Sequence, residues 1–375
     1  MQHKTYHLWF PDIFEFKGGI QVYSSFLLQA LHQLAASTDY EVFLKHDTHS
    51  TFDFESRQHT TRFHFSGTYP LPWRTPIFAS QLLAAGLLQK PQLIIATHVN
   101  FTPVAYWLKQ LTGVSYWAVA HGVEAWNIQR PAVKKALRHA DRILPVSHYT
   151  RDRLLEEQNL DSSQLSVLPN TFDSQRWQIS PKPQYLLDRY HLRPQQPTIL
   201  TVGRLDASEG YKGYDHILNA LHKIRHHLPD VHYVLVGKGS DRPRIGKIIE
   251  DLNLQSCVTL TGFIPDEELG DHYNLCDVFA MPSKGEGFGI VYLEALACGK
   301  PCLGGNQDGA IDALCHGNLG ALVNPDDIDE IAQTLVKILQ GTYPNSLIYQ
   351  PQKLRQQVIE TYGFEKFKHT LAGYL

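Results

Sequence analysis

The sequence predicts an α/β chain of two domains, each a parallel sheet doubly wound with helices on both faces. Three observations carry that expectation. At 375 residues the chain is long enough for two cores. Short apolar, β-branched runs alternate with longer helical patterns, the signature of a parallel sheet covered on both sides. Near the middle, SPKPQYLLDRYHLRPQQPT (180–198) interrupts the alternation with prolines and polar residues, as a linker does.

Taken in order, the strand-like runs of the first half are YHLWF (6–10), YEVFL (40–44), QLIIAT (92–97), SYWAVA (115–120) and RILPVS (142–147). Between the first two, Ile20, Tyr23, Leu27, Leu31 and Leu34 recur at steps of three and four, which is one helical face. The second half repeats the scheme with TILTVG (198–203), VHYVLVG (231–237), CVTLTG (257–262), DVFAMP (277–282) and GALV (320–323). The closing FEKFKHTLAGYL (364–375) reads as a terminal helix. In doubly wound folds ligands sit at the carboxyl ends of the strands, so chemistry is expected in the segments that follow these runs.

Composition narrows the function. The chain is 43% hydrophobic and 19% charged, with 34 basic against 37 acidic residues. That near-balance argues against a dedicated nucleic-acid binder, which would show a basic face. The opening MQHKTYHLWFPDIFEF lacks the pattern of a signal peptide. IFASQLLAAGLL (77–88) falls short of the ~18 apolar residues that span a bilayer. Cys257, Cys276, Cys298, Cys302 and Cys315 are odd in number and unpaired in spacing, so they read as buried small apolar residues in a reducing cytoplasm, not as disulfides or zinc ligands. His46/His49 and His226/His227 could hold a metal in principle but read as solvated surface histidines, and no metal site is expected.

Several strand ends suit phosphate or sugar. After the first strand, Gly18-Gly19 opens a helix, where freed backbone N–H groups and the helix dipole favour an anion, though a tight turn without ligand would look the same. In TVGRLDASEGYKG (201–213), Arg204 stands at a strand end and Lys212 before the next helix. Two such cations suit a diphosphate, or are solvated surface charge. In KGEGFGIVYLEALACGKP (284–301), Glu286 lies in a loop and Glu294 on the helix that follows. At ~100° per residue eight positions return to within roughly 80°, so both carboxylates can address one side. Gly287, Phe288 and Gly289 supply N–H donors between them. A carboxylate accepts two hydroxyls at once, as a ribose or hexose offers them. The plain alternative is a charge that favours the helix dipole and one exposed helical glutamate. No strand is followed by G-x-G-x-x-G, and GKGSDR (237–242) has only its first two glycines, so a nicotinamide enzyme is not expected.

The segment PSKGEGFGIVYLEALACGKPCLGG (282–305) closely resembles the signature of family 4 retaining glycosyltransferases, which have the GT-B fold of two Rossmann-like domains facing across a deep crevice. VGRLDASEGYKGYDHILNAL, AHGVEAW (120–126), and ADRILPVSHYTRDRL followed by VLPNTFD are similar to further segments of that family, so the likeness spans nearly the whole chain. It implies an acceptor-binding domain over 1–180, a linker over 181–196, a donor-binding domain over 197–355, and a terminal helix, 356–375, crossing back to the first domain. Arg204 and Lys212 would grip the donor diphosphate. Glu294 would bind ribose hydroxyls, and Glu286, with Gly287, Phe288, Gly289 and Ile290, would hold the donor sugar. His121 would lie under that sugar near the reacting carbon, Gly18 and Gly19 would close on the phosphates, and Phe263 and Ile264 would neighbour the base. Catalysis would rest on stabilising the departing nucleoside diphosphate and positioning an acceptor hydroxyl, with no metal and no cofactor. Two departures from the family pattern stand out: Pro169-Asn170-Thr171 where relatives have Pro-Asn-Gly, and Asp308-Gly309 followed by Asp312 where they often have Gly-Gly and then Glu.

The expected function is therefore a cytoplasmic hexosyltransferase using a nucleotide sugar, UDP-glucose by family frequency. Its acceptor would be a polysaccharide or lipid-linked saccharide in a cell-envelope role, with peripheral contact at the inner membrane face. The aromatic-rich segments SGTYPLPW (66–73) and VNFTPVAYW (99–107) would shape the acceptor pocket or simply form core. A sugar-nucleotide epimerase of the same fold is one alternative, but the sequence shows no mobile acid/base pair for it. A phosphorylase would want a pyridoxal lysine and a longer chain. A catalytically silent nucleotide-sugar sensor is the remaining rival.

Overall fold

The structure, a computed structural model, describes residues 4–15, 18–35, 37–50 and 61–375. In chain order its first elements are β1 (Lys4–Phe10), α1 (Gly19–Leu34), β2 (Thr38–Leu44), β3 (Thr61–Phe65), α2 (Leu71–Gln89), β4 (Leu93–Ala96), α3 (Thr102–Thr112), β5 (Ser115–Ala120), α4 (Pro131–Arg138), β6 (Arg142–Pro145) and α5 (His148–Gln158). There follow α6 (Gln184–Arg189), β7 (Thr198–Val202), α7 (Tyr214–His227), β8 (His232–Val236), α8 (Arg242–Asp251), β9 (Val258–Gly262), α9 (Asp266–Leu275) and β10 (Val278–Met281). The last are α10 (Ile290–Ala297), β11 (Cys302–Gly305), α11 (Ala310–Ala313), β12 (Ala321–Val323), α12 (Ile328–Leu339), α13 (Pro351–Tyr362) and α14 (Phe364–Ala372). They group into two compact units: the chain up to Thr171 with Phe364–Leu375, and Phe172–Gly363.

The first unit holds a six-stranded sheet in the order β3-β2-β1-β4-β5-β6, all parallel. Its main core lies between the sheet and α2, α3 and α4, with Trp9, Ile94, Phe78, Leu82, Leu108 and Leu137 among its members. On α1 the expected stripe is buried at Tyr23, Leu27 and Leu31, and α14 packs over that helix. There Phe367 meets Tyr23 edge to face at 5.6 Å, and Phe364 meets Phe26 at 5.8 Å.

The second unit repeats the plan as β12-β11-β10-β7-β8-β9, again parallel. Its core joins Ile199, Tyr233 and Val278 of the sheet to Ile217 and Leu221 of α7 and Leu335 of α12. In both sheets the earliest strand is central and the chain winds first to one side, then to the other. The order therefore reverses between β1 and β4 and between β7 and β10, and a crevice opens at the carboxyl ends of those pairs.

Several expectations need correcting. β3 and β11 were not among the expected strands: TRFHF is a short alternating run at the sheet edge, and CLGG carries too few side chains to signal a strand. The segment expected as a linker, 181–196, contains α6. Leu186 and Leu187 of this helix are buried, it packs on α9, and Lys182 pairs with Asp277 at 2.7 Å. Proline and polar content mark the chain's path here but hide this apolar pair. The unit boundary falls at Thr171/Phe172, and the segment returning to the first unit starts at Phe364. Cys257, Cys276, Cys298 and Cys302 are buried free thiols, and Cys315 is half-buried. No helix among the described residues is long and apolar enough to cross a membrane.

Candidate functional site

At the reversal point of the second sheet, the loops after β7 and β10 are stitched together. Gly213 ends the first loop in the left-handed region, at φ 78°, and a Cβ there would sit 2.1 Å from the Pro282 carbonyl oxygen. Only glycine fits so close a crossing. Lys284 N–H donates to the Tyr211 carbonyl at 3.0 Å. Across this seam runs an alternating chain of four charges. Arg204, exposed, pairs with buried Glu209. The other oxygen of Glu209 lies 3.6 Å from Lys212 Nζ and has no hydrogen-bond partner. Lys212 in turn pairs with Glu286. Burial acts to lower the Lys212 pKa, but Glu286, then Tyr211 and Glu209, outweigh it and hold the ammonium above its usual range. The chain has two positive and two negative members, so its cations are already neutralised from within.

The main chain of Glu286 is clamped from the third strand end. Its N–H donates to Asp308 Oδ2 at 2.8 Å, its carbonyl accepts from Gly309 at 2.8 Å, and Asp308 Oδ1 accepts from Ala310 N–H at 2.9 Å. Burial pushes the Asp308 carboxyl up to about 6, against the pull of those amides. Gly289, at φ 86°, caps α10, so the helix starts only at Ile290 and the helical spacing argument does not reach back to Glu286. The two glutamates have different partners: Glu294 Oε2 accepts the Tyr273 hydroxyl at 2.6 Å. Burial raises the Glu294 carboxyl to about 7, with Tyr273 and then Arg176 pulling the other way. Phe288 is buried against Tyr362 at 5.3 Å. Phe263 is exposed beyond the edge strand β9, with Lys238 4.8 Å over its ring, and Ile264 beside it is half-buried.

The other expected residues belong to the first unit. His121 follows β5. Its Nε2 lies 3.0 Å from the Thr97 carbonyl, so this nitrogen carries the proton and Nδ1 the lone pair. Burial, then His98, depress its pKa to about 3, and its ring stands edge-on to Tyr23 at 5.0 Å. Gly18 caps α1 in extended conformation, and a Cβ on Gly19 would meet no atom within 4 Å. Neither backbone strain nor packing asks for glycine at Gly19. His46, expected as a solvated residue, is half-buried in a cavity wall, whereas His226 and His227 are exposed. Of the aromatic segments, Phe101 and Tyr106 are buried, while Trp73 and Trp107 stand exposed.

Two families match this chain in consecutive stretches: Glycosyltransferase Family 4 over residues 17–176 and Glycosyl transferases group 1 over 187–360. The chain belongs to the GT-B glycosyltransferases. Within this family it is 34% identical to the GDP-mannose-dependent alpha-(1-6)-phosphatidylinositol monomannoside mannosyltransferase of Mycolicibacterium smegmatis, over 59% of this chain and 60% of that relative. The chain thus spans about three fifths of that relative's length. It is 27% identical to the alpha-maltose-1-phosphate synthase of the same organism, over 70% and 71% of the two chains. Its GT-B fold superposes on the sucrose-phosphate synthase of Thermosynechococcus elongatus with a TM-score of 0.79 at 21% identity, over 99% and 98% of the chains. Anabaena HepE in complex with UDP gives 0.77 at 18%, over 99% of both.

Beyond the residues expected, Glu209, Tyr273 and Asp308 contact members of this cluster. Glu209 had a signal, since it lies three residues before Lys212 in a cation-bearing loop. Tyr273 had none, being 21 residues from its partner Glu294. Asp308 stood out only as a departure from the family pattern.

Proposed function

We propose that this chain transfers a hexose from a nucleoside diphosphate sugar to a hydroxyl of a saccharide acceptor, with retention at the anomeric carbon and without a metal ion. The observation that carries this reading is the Arg204–Glu209–Lys212–Glu286 chain at the reversal point of the second sheet. An incoming diphosphate can take Arg204 from Glu209 and Lys212 from Glu286, exchanging carboxylate for phosphate oxygens at the cost of leaving both carboxylates without their cations. The same two cations then stabilise the charge that develops on the leaving diphosphate. Released from Lys212, Glu286 is a free acceptor for sugar hydroxyls, held in place by Asp308. Glu294, set by Tyr273, accepts the ribose hydroxyls. The amides of Gly287, Phe288, Gly289 and Ile290 line the sugar, and Phe263 and Ile264 flank the base.

UDP-glucose is the expected donor. GDP-mannose is the second reading, favoured by the relative named as GDP-mannose-dependent at 34% identity. Calorimetric titration with UDP, GDP, ADP and their glucose and mannose conjugates, without metal and again with a divalent cation, tests both. Tight metal-free binding of one nucleotide, weakened in Glu294→Ala by about 1–3 kcal/mol through lost hydrogen bonds to a carboxylate, is the expected result. Failure of every nucleotide to bind would remove the transferase reading in favour of a degenerate relative.

A lipid-linked acceptor would bring the protein to the cytoplasmic membrane face. In support, Leu71, Trp73, Leu87, Leu88, Trp107 and Leu111 stand exposed on α2 and α3. These helices and the adjoining α4 carry Arg74, Lys109, Lys134, Lys135 and Arg138 and no acidic residue. Apolar tips beside cations suit an anionic lipid surface. Co-sedimentation with anionic but not zwitterionic vesicles, reduced in Trp107→Ser, is expected, and equal recovery with both vesicle types would dismiss membrane contact through this face.

A further inference from the structure

Helix α7 carries His222 and His226, four residues apart, which is about one turn. Both stand exposed. Among the described residues they are the one pair of histidines at that spacing on a helix. Side chains four apart on a helix are neighbours, with Cβ atoms about 5–6 Å apart. His226 and His227, adjacent in sequence, diverge by ~100° around the axis, so His227 does not share the face of His226.

The fold leaves both rings to solvent. The buried side of α7 is made by Tyr214, Ile217, Leu218, Leu221 and Ile224. Neither His222 nor His226 has a hydrogen-bond or ion-pair partner among the described residues. The neighbouring cations are engaged elsewhere. Lys223 pairs with Asp329, and Arg225 acts on the Cys257 thiol, which burial raises and Arg225 lowers. The helix ends at His227, and the negative end of its dipole favours a cation beside the last turn.

Imidazole is the commonest metal ligand, and two at this spacing can each point a ring nitrogen at one ion. Nitrogen donors favour borderline transition metals, whereas Mg²⁺ and Ca²⁺ take oxygen. Among the described residues no three His, Cys, Asp or Glu side chains gather to enclose a metal, so an ion here would keep water in its remaining positions. We propose that His222 and His226 form a two-histidine surface site for a divalent transition metal of the zinc, nickel and copper group. Such an ion staples the last turn of α7. It bridges the pair only when the segment is helical, so it binds the folded chain in preference to the unfolded one.

The site is independent of the transferase reading. Measured from Tyr214, beside the Lys212 loop, His222 and His226 lie about 12 and about 18 Å further along the helix axis at 1.5 Å per residue.

The test is calorimetric titration of the full, untagged chain with Ni²⁺ at about pH 7.5, where imidazole is mostly neutral, followed by urea unfolding with and without the ion. One tight ion per chain is expected. His222→Asn and His226→Asn should each weaken it at least about tenfold, because a single imidazole lacks the chelate. His227→Asn and excess Mg²⁺ should leave it unchanged. Ni²⁺ should raise the unfolding midpoint of the natural chain and of neither weakened variant. All three positions are exposed, so the substitutions leave the core intact. Absence of Ni²⁺ binding in the micromolar range overturns the proposal, as does binding that survives either single substitution or is lost in His227→Asn. Affinity for UDP and GDP should be equal in the natural chain and the variants, and a change would tie the pair to the donor site and overturn its independence. Ni²⁺ binding without nucleotide binding removes the transferase reading and leaves this site, whereas nucleotide binding without Ni²⁺ binding does the reverse.

Discussion

Asp308 accepts the backbone N–H of Glu286 at 2.8 Å, and with its other oxygen it caps the turn at Ala310 at 2.9 Å. A carboxylate is the one short side chain that can accept at both oxygens. In Asp308→Asn the amide NH₂ must face one of the two N–H donors, leaving a buried donor unsatisfied. The variant should lose about 1–3 kcal/mol of stability in urea unfolding, and its donor affinity should fall with the loosened Glu286 loop. Unaltered stability would show that the loop holds its shape without this clamp.

Glu209 competes with any diphosphate for Arg204 and Lys212. Glu209→Gln keeps the shape and removes the charge, so nucleoside diphosphate binding should tighten, by about threefold to tenfold for a partly screened pair. Lys212→Met should act in the opposite direction. Titration calorimetry with UDP and GDP on both variants reads this directly, and weaker binding in Glu209→Gln would contradict the exchange of partners proposed above.

Glu294 has a folded-state pKa of about 7 against an ordinary 4.5. The folded protein therefore binds this proton more tightly than the unfolded chain does. The stabilisation from protonation is present at low pH and is lost as pH rises from the unfolded value through about 7. Glu294→Gln, which can still accept the Tyr273 hydroxyl, removes this dependence. Its stability relative to the natural chain should grow between about pH 5 and pH 7 and level off above. A constant difference across that range, measured by urea unfolding, would assign Glu294 an ordinary pKa.

His121 behaves differently. Its depressed pKa and its bond to the Thr97 carbonyl predict a neutral imidazole protonated at Nε2 throughout the working range. Nitrogen NMR of the labelled ring should show one tautomer with no titration between about pH 5 and pH 8.

Phe367 of the terminal helix is buried against Tyr23. Phe367→Ala should cost about 3–5 kcal/mol and lower the unfolding midpoint, although this residue lies far in sequence from the rest of its unit.

Most of the architecture was legible in local patterns. Ten of the strands, the α1 face and the closing helix follow from period and composition, because hydrophobic burial imposes a repeat of two or of 3.6 on any segment that faces a core. β3 and β11 escaped because an edge strand buries too little, and a glycine-rich strand carries too few side chains, to leave that mark. Arg204, Lys212, Glu286 and Glu294 stood out as candidates because they lie in short motifs next to strand ends. Their partners were not. Tyr273 reaches Glu294 and Asp308 reaches Glu286 only once the parallel sheet brings distant segments together. Strand order does not follow sequence order, and no local spacing encodes it. The sequence alone determined which residues could do chemistry here. Which charges neutralise one another and which carboxyls titrate near neutrality were decided by the tertiary structure, since both depend on burial and on distances across the sheet.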